Sequence, residues 1–151
     1  MNDYQFNTQL MRTLYLHCGF KKLQEFKEVV PFSPTLWYNA IHKEDIHLPS
    51  LLSLCNQFHI NPCAFFIREG EVIPSIHTDN TYKVVWEVEH YVVLPDGSAK
   101  KIMHLLNPRY AFTTKQRMLR PGSSSTMKAS DIIYILNTYN LRPDQFFIPK
   151  E

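Results

Sequence analysis

Seven basic side chains lie between residues 98 and 128 with no acidic one among them: Lys100, Lys101, Arg109, Lys115, Arg117, Arg120 and Lys128. Hydroxyls are interleaved with them at Ser98, Thr113, Thr114, Ser123, Ser124, Ser125 and Thr126. Cations that reach a phosphate oxygen, beside hydroxyls that donate to one, make a phosphate-contacting composition. A solvated basic face is the plainer alternative, because short charge-biased stretches are usually that. Residues 1–70 differ: six Lys and Arg balance six Asp and Glu. Other chemistry is poorly supported. Cys55, His59 and Cys63 stand four apart, but that spacing fits no common structural zinc pattern and no fourth ligand is evident. Cys55 reads as core, and no metal is expected. Asp96-Gly97-Ser98 is a turn, without a paired acid, base or nucleophile at a recognisable spacing. Only four glycines occur, and none builds a phosphate-cradling loop. Neither an enzyme activity nor a cofactor is expected.

The elements that must position the basic residues show first as a repeat. Residues 48–67, LPSLLSLCNQFHINPCAFFI, meet 129–148, ASDIIYILNTYNLRPDQFFI, at an offset of 81. Five of the twenty positions are identical: Asn56 with Asn137, Pro62 with Pro143, Phe65 with Phe146, Phe66 with Phe147 and Ile67 with Ile148. Six more stay apolar, which implies two copies of one structural unit. Apolar residues at 51, 52, 54, 55 and 58 follow a helical period. Ser50 and Asp131 fall at matching places and are expected to cap the two helices. Pro62 and Pro143 open a short second helix ending in Phe-Phe-Ile. The expected division is residues 1–68, a linker 69–81, and residues 82–151.

The rest of the first unit reads as helices. Apolar spacing gives one helix from Tyr4 to Cys18, ended by Gly19, and another from Lys21 to Val30, stopped by Pro31. Ser33 caps a third, with Pro34 at its first position. Trp37, Ala40 and Ile41 face inward there, while Thr35, Tyr38, Asn39 and His42 face out. Arg68 to Thr81 is polar and aperiodic, a linker, although Val72, Ile73 and Ile76 also allow an arm packed on one domain. In the second unit, Tyr82 to Leu94 is β-branched and alternating, so a hairpin turned by Asp96-Gly97 is one option. The repeat favours instead an extended lead-in and a helix near Glu87–Leu94. A helix over Ala99–Leu106 and a short one over Thr113–Leu119 follow.

Three segments carry a resemblance: LMRTLYLHCGF, VPFSPTLWYNAI and LPSLLSLCNQFHINPCAFF. Together, over about residues 5–67, they resemble the Xre/Cro family of lambda-repressor-like helix-turn-helix domains of bacteria and phages. The loop after the third helix departs from the family, with Ile41-His42-Lys43 where Glu-Arg-Gly is usual. The helix-two segment is one residue longer than usual. The resemblance implies an all-α fold of two tandem domains, each of about five short helices. It implies a sequence-specific, DNA-binding transcriptional regulator whose third helix enters the major groove. The contacts expected on this basis are Lys22, Ser33, Thr35, Tyr38, Asn39 and Lys43 in the first unit. In the second they are Lys101, Thr113, Thr114, Lys115, Arg117 and Arg120, with Lys115 and Arg117 reading bases. A non-enzymatic interaction or dimerisation module that keeps the fold is the alternative.

The expected partner is double-stranded DNA, and a homodimer remains open. Arg68 to Thr81, 14 residues, spans at most roughly 46–50 Å when extended. Half-sites one turn apart lie about 34–36 Å apart, so the linker can bridge them. Because the third helices differ (PTLWYNAI against TTKQRML), the site is expected to be asymmetric. No apolar run approaches the roughly 18 residues of a membrane span, and the N-terminus lacks signal-peptide features, so no membrane is expected. Three cysteines without a CxxC pair fit a cytoplasmic location.

Overall fold

Residues 48–58 carry apolar side chains at helical spacing, and so do residues 129–139; each becomes an 11-residue helix. In the computed structural model, which describes residues 3–89 and 91–150, the two halves follow the same path around these helices. The first half runs β1 (Gln5–Phe6), α1 (Thr8–His17), α2 (Leu23–Val29), α3 (Pro34–His42), α4 (Leu48–Phe58), a 3₁₀ turn (Pro62–Phe65) and β2 (Phe66–Ile67). The second runs β3 (Tyr82–Val84), α5 (Val85–Val88), β4 (Tyr91–Val93), β5 (Ala99–Lys101), α6 (Ile102–Leu105), α7 (Phe112–Met118), a 3₁₀ turn (Gly122–Ser124), α8 (Ala129–Tyr139), a 3₁₀ turn (Pro143–Gln145) and β6 (Phe147–Pro149). Both α4 and α8 end on a left-handed residue, His59 (φ 55°) and Asn140 (φ 54°).

The all-α expectation is corrected by three two-stranded antiparallel sheets: β1–β2, β3–β6 and β4–β5. Two of them have one cause. The first Phe of Phe-Phe-Ile closes the short helix; the following Phe-Ile leaves it extended and pairs with the chain arriving from the N-terminal side. Phe6 pairs with Phe66 in one half, and Val84 with Phe147 in the other. The extended lead-in favoured by the repeat forms as β3, and a helical turn follows at Val85–Val88, but the rest of the helix expected near Glu87–Leu94 is replaced by the third sheet, a hairpin; His90 of that segment lies outside the described residues. Here local chemistry prevails. Tyr91-Val92-Val93 is β-branched and aromatic, and Gly97 takes φ 88° in the turn between Val93 and Ala99. Lys100 and Lys101 are therefore on a strand, and only Ile102–Leu105 of the expected Ala99–Leu106 helix is helical.

The expected caps are also corrected. Both helices start before Ser50 and Asp131, at Leu48 and Ala129, and their first N–H groups bond to the other half. Leu48 N–H donates to the Met127 carbonyl (2.8 Å) and Ala129 N–H to the Ile46 carbonyl (2.9 Å). Orphan donors of a helix start are satisfied there by backbone. Asp131 sits in the first turn and accepts from Lys128 N–H at 2.9 Å.

This exchange belongs to a reciprocal junction. Leu48 and Ala129 are equivalent at an offset of 81, as are Ile46 and Met127. His47 pairs with its own equivalent, Lys128, and the rings of Phe66 and Phe147, also equivalent, lie 5.5 Å apart. Asn56 accepts from Tyr82 N–H (2.9 Å) and donates to its carbonyl (3.0 Å). Asn137 does the same for Tyr4, at 2.7 and 3.2 Å. Contacts of this i-to-j and j-to-i kind are the signature of a two-fold interface. Buried apolar side chains of both halves form one continuous cluster.

Candidate nucleic-acid interface

An outward helix face is positioned by what the inward face grips. In α3, Trp37 and Ala40 are buried, and the Trp37 ring is held by Phe26 (5.7 Å between centroids) and Phe32 (4.9 Å). Ser33 caps the helix, accepting from Leu36 N–H at 3.1 Å. Arg12 of α1 donates to the Ile41 carbonyl at the other end (3.2 Å), where a cation suits the helix dipole. Thr35 and Tyr38 are thereby presented to solvent and Asn39 is half-buried.

Ser33, Thr35, Asn39 and Lys43 line one open groove of about 500 Å³, together with Leu36, Asp45, Ile46, His47 and Lys128. Lys128 comes from the other half. The Asp45 carboxylate is occupied: it accepts from Ile46 N–H, from Ser130 N–H and from the Ser130 hydroxyl (2.9, 2.9 and 2.7 Å). Tyr38 stands beside the groove with His42 against its ring at 4.8 Å and Lys43 Nζ 5.9 Å from its centroid. Lys22 is exposed at the start of α2 and does not line the groove.

In the second half, α7 holds the matching place. Ala111 precedes it with the backbone angles that Ser33 has before α3, but without a capping side chain. Met118 is buried. The carbonyls of Arg117 and Met118, at the helix end, accept from Thr126 N–H (3.3 Å) and the Ser125 hydroxyl (2.5 Å). The turn before α7 is tied to α8 by Tyr110 Oη donating to Asp131 at 2.7 Å. Thr113, Arg117 and Arg120 are exposed; Thr114 and Lys115 are half-buried. Phe112, 64 % exposed, opens the helix. Lys101 is separate from these: it ends β5, with Nζ 6.0 Å from the Tyr91 ring centroid, in a concavity with Trp86 and Leu119.

Lys128 already belongs to the basic cluster of the sequence, but sequence reasoning places neither it nor His47 at the groove of the first unit. The offset of 81 pairs them with each other immediately before the two repeated helices, and that is the signal which could have found them. Among the described residues no cluster of His, Cys, Asp and Glu is arranged to hold a metal ion. No described helix is long and apolar enough to cross a membrane. No family model, curated protein or solved structure matches the chain.

Proposed function

We propose that the chain binds double-stranded DNA sequence-specifically and acts as a transcriptional regulator, with α3 and α7 each set in a major groove. The observation that carries this reading is the two-sided character of α3. Its apolar side is clamped by aromatic rings, while Thr35 and Asn39, with Lys43 just beyond, line an open groove with Lys128. Asn and Thr side chains can pair with base edges, and Lys neutralises phosphate. In α7 the same work falls to Thr113, Lys115 and Arg117, with Arg120 at its end. Phe112 is suited to a thymine methyl. The location that goes with this function is the cytoplasm.

One observation favours the second reading, a protein-interaction module. Tyr38 and Phe112, exposed on the two candidate helices, are residue types common at protein interfaces. The two are separated by a salt titration of binding to DNA selected from a random pool. Lys115, Arg117 and Arg120 replaced together by Ala should weaken binding, and the slope of log K against log salt should fall by roughly 0.9 for each phosphate no longer neutralised. Unchanged affinity and slope would transfer the assignment to the interaction module.

A further inference from the structure

The arrangement of the halves bears on what kind of DNA site the chain can read. A flexible tether would let α3 and α7 seek their half-sites independently. The structure contains no such freedom at the junction. Only residues 43–47 separate α3 from α4, and α4 begins on the backbone exchange with residues 127–129. On the other side α7 is tied through its terminal carbonyls to Ser125 and Thr126, next to the same exchange. The Arg68–Thr81 segment is itself held. Asn61 N–H donates to Ile76 (2.7 Å), Thr78 N–H to His59 (2.9 Å), and Tyr4 Oη to Glu71 (2.9 Å).

Lys128 belongs to the second half yet lines the groove of the first. The α3 site is therefore not whole until the halves dock. His47 and Lys128 pair with each other where the two halves meet, between the elements that carry α3 and α7.

We infer that one chain is a pre-assembled reading unit for a DNA site of two unlike halves at one fixed spacing, with Lys128 and His47 at the phosphate backbone in its centre. This rests on the DNA-binding reading above. Unlike halves follow from unlike helices: Thr35 and Asn39 on one side, Thr113, Lys115 and Arg117 on the other. Fixed spacing follows from the backbone exchange, which cannot slide without breaking both Leu48–Met127 and Ala129–Ile46 bonds.

The test uses the full chain and a fluorescently labelled duplex that it selects from a random pool. Native mass spectrometry should give one chain per duplex. Inserting about five base pairs between the two halves turns one by roughly half a helical turn. That insertion should weaken binding at least about tenfold, the scale of losing base recognition in one half. Thr35→Ala with Asn39→Ala should relax selection in one half of the site, and Arg117→Ala in the other. Lys128→Ala should weaken binding to all sequences alike and lower the salt slope by about 1.

Two chains on a palindromic duplex, or full affinity after the insertion, would overturn the inference and leave DNA binding standing. Wild-type affinity and slope for Lys128→Ala would remove the central contact. If the pool yields no enriched duplex, the DNA reading fails, and this inference with it.

Discussion

Replacing Asn137 by Ala deletes two hydrogen bonds between the halves, those to the N–H and carbonyl of Tyr4. Each such bond is worth about 0.5–1.5 kcal/mol net, and a buried group left unpaired costs about 1–3 kcal/mol. Tyr4 is 2 % exposed, so water replaces the missing partner poorly. A loss of about 2–4 kcal/mol follows, at the upper end if both backbone groups stay dry. Asn56→Ala removes the equivalent pair at Tyr82, which is 8 % exposed, and should cost somewhat less. Urea unfolding followed by both tryptophan fluorescence and far-ultraviolet circular dichroism measures the effect. Trp37 reports on the first half and Trp86 on the second. If the halves share one core, both probes shift together in each single mutant. A shared, hydrogen-bonded core is refuted if either change costs less than about 0.5 kcal/mol, the size of an ordinary surface substitution. It is equally refuted if Asn137→Ala moves one probe and leaves the other at its wild-type midpoint.

Two further outcomes are expected. Phe65→Ala and Phe146→Ala should each lower stability in urea melts by roughly 3–5 kcal/mol, because both rings are fully buried. Burial pushes the Cys18 thiol up to about 11 and the Cys63 thiol up to about 12, against 9 for a free thiol. The folded chain thus holds these protons more tightly than the unfolded one. Their stabilising contribution is complete below pH 9 and is lost as pH rises through 11 to 12. Urea midpoints should fall across that window, and a Cys18→Ser, Cys63→Ser variant should fall less; equal decline in both would refute the assignment.

The helices with a plain 3.6-residue period can be read directly. Leu51, Leu54 and Cys55 mark the inner face of α4 as Ile132, Ile135 and Leu136 mark that of α8. Ser33-Pro34 announces α3 because a hydroxyl cap and a proline both suit a helix start. The hairpin at Tyr91–Lys101 is equally legible from Tyr-Val-Val and Asp96-Gly97; extending the repeat over it suppresses the better local signal. The two closing strand pairs are harder, since strands of two or three residues carry no measurable period. The junction is least visible. Its bonds are made by backbone groups of Leu48 and Ala129, which any sequence supplies. Among its side-chain contacts, an asparagine identical in both copies of an otherwise apolar helix points to a partner without saying which. The α3 site is legible in Ser33, Thr35, Asn39 and Lys43, but not in Lys128, whose place depends on that junction.

The bond between Tyr4 and Asn137 also spans 133 positions of the chain. At synthesis rates of about 5–20 residues per second, roughly 7–27 s separate the appearance of the two partners. Through that interval a nascent chain presents Phe66 without Phe147, and Asn56 until Tyr82 follows. Strand β1 is docked by α8, the later of the two repeated helices to be synthesised. Assembly of the junction therefore waits for α8, and a chain truncated before α8 leaves an apolar surface open to chaperones or to another copy of itself.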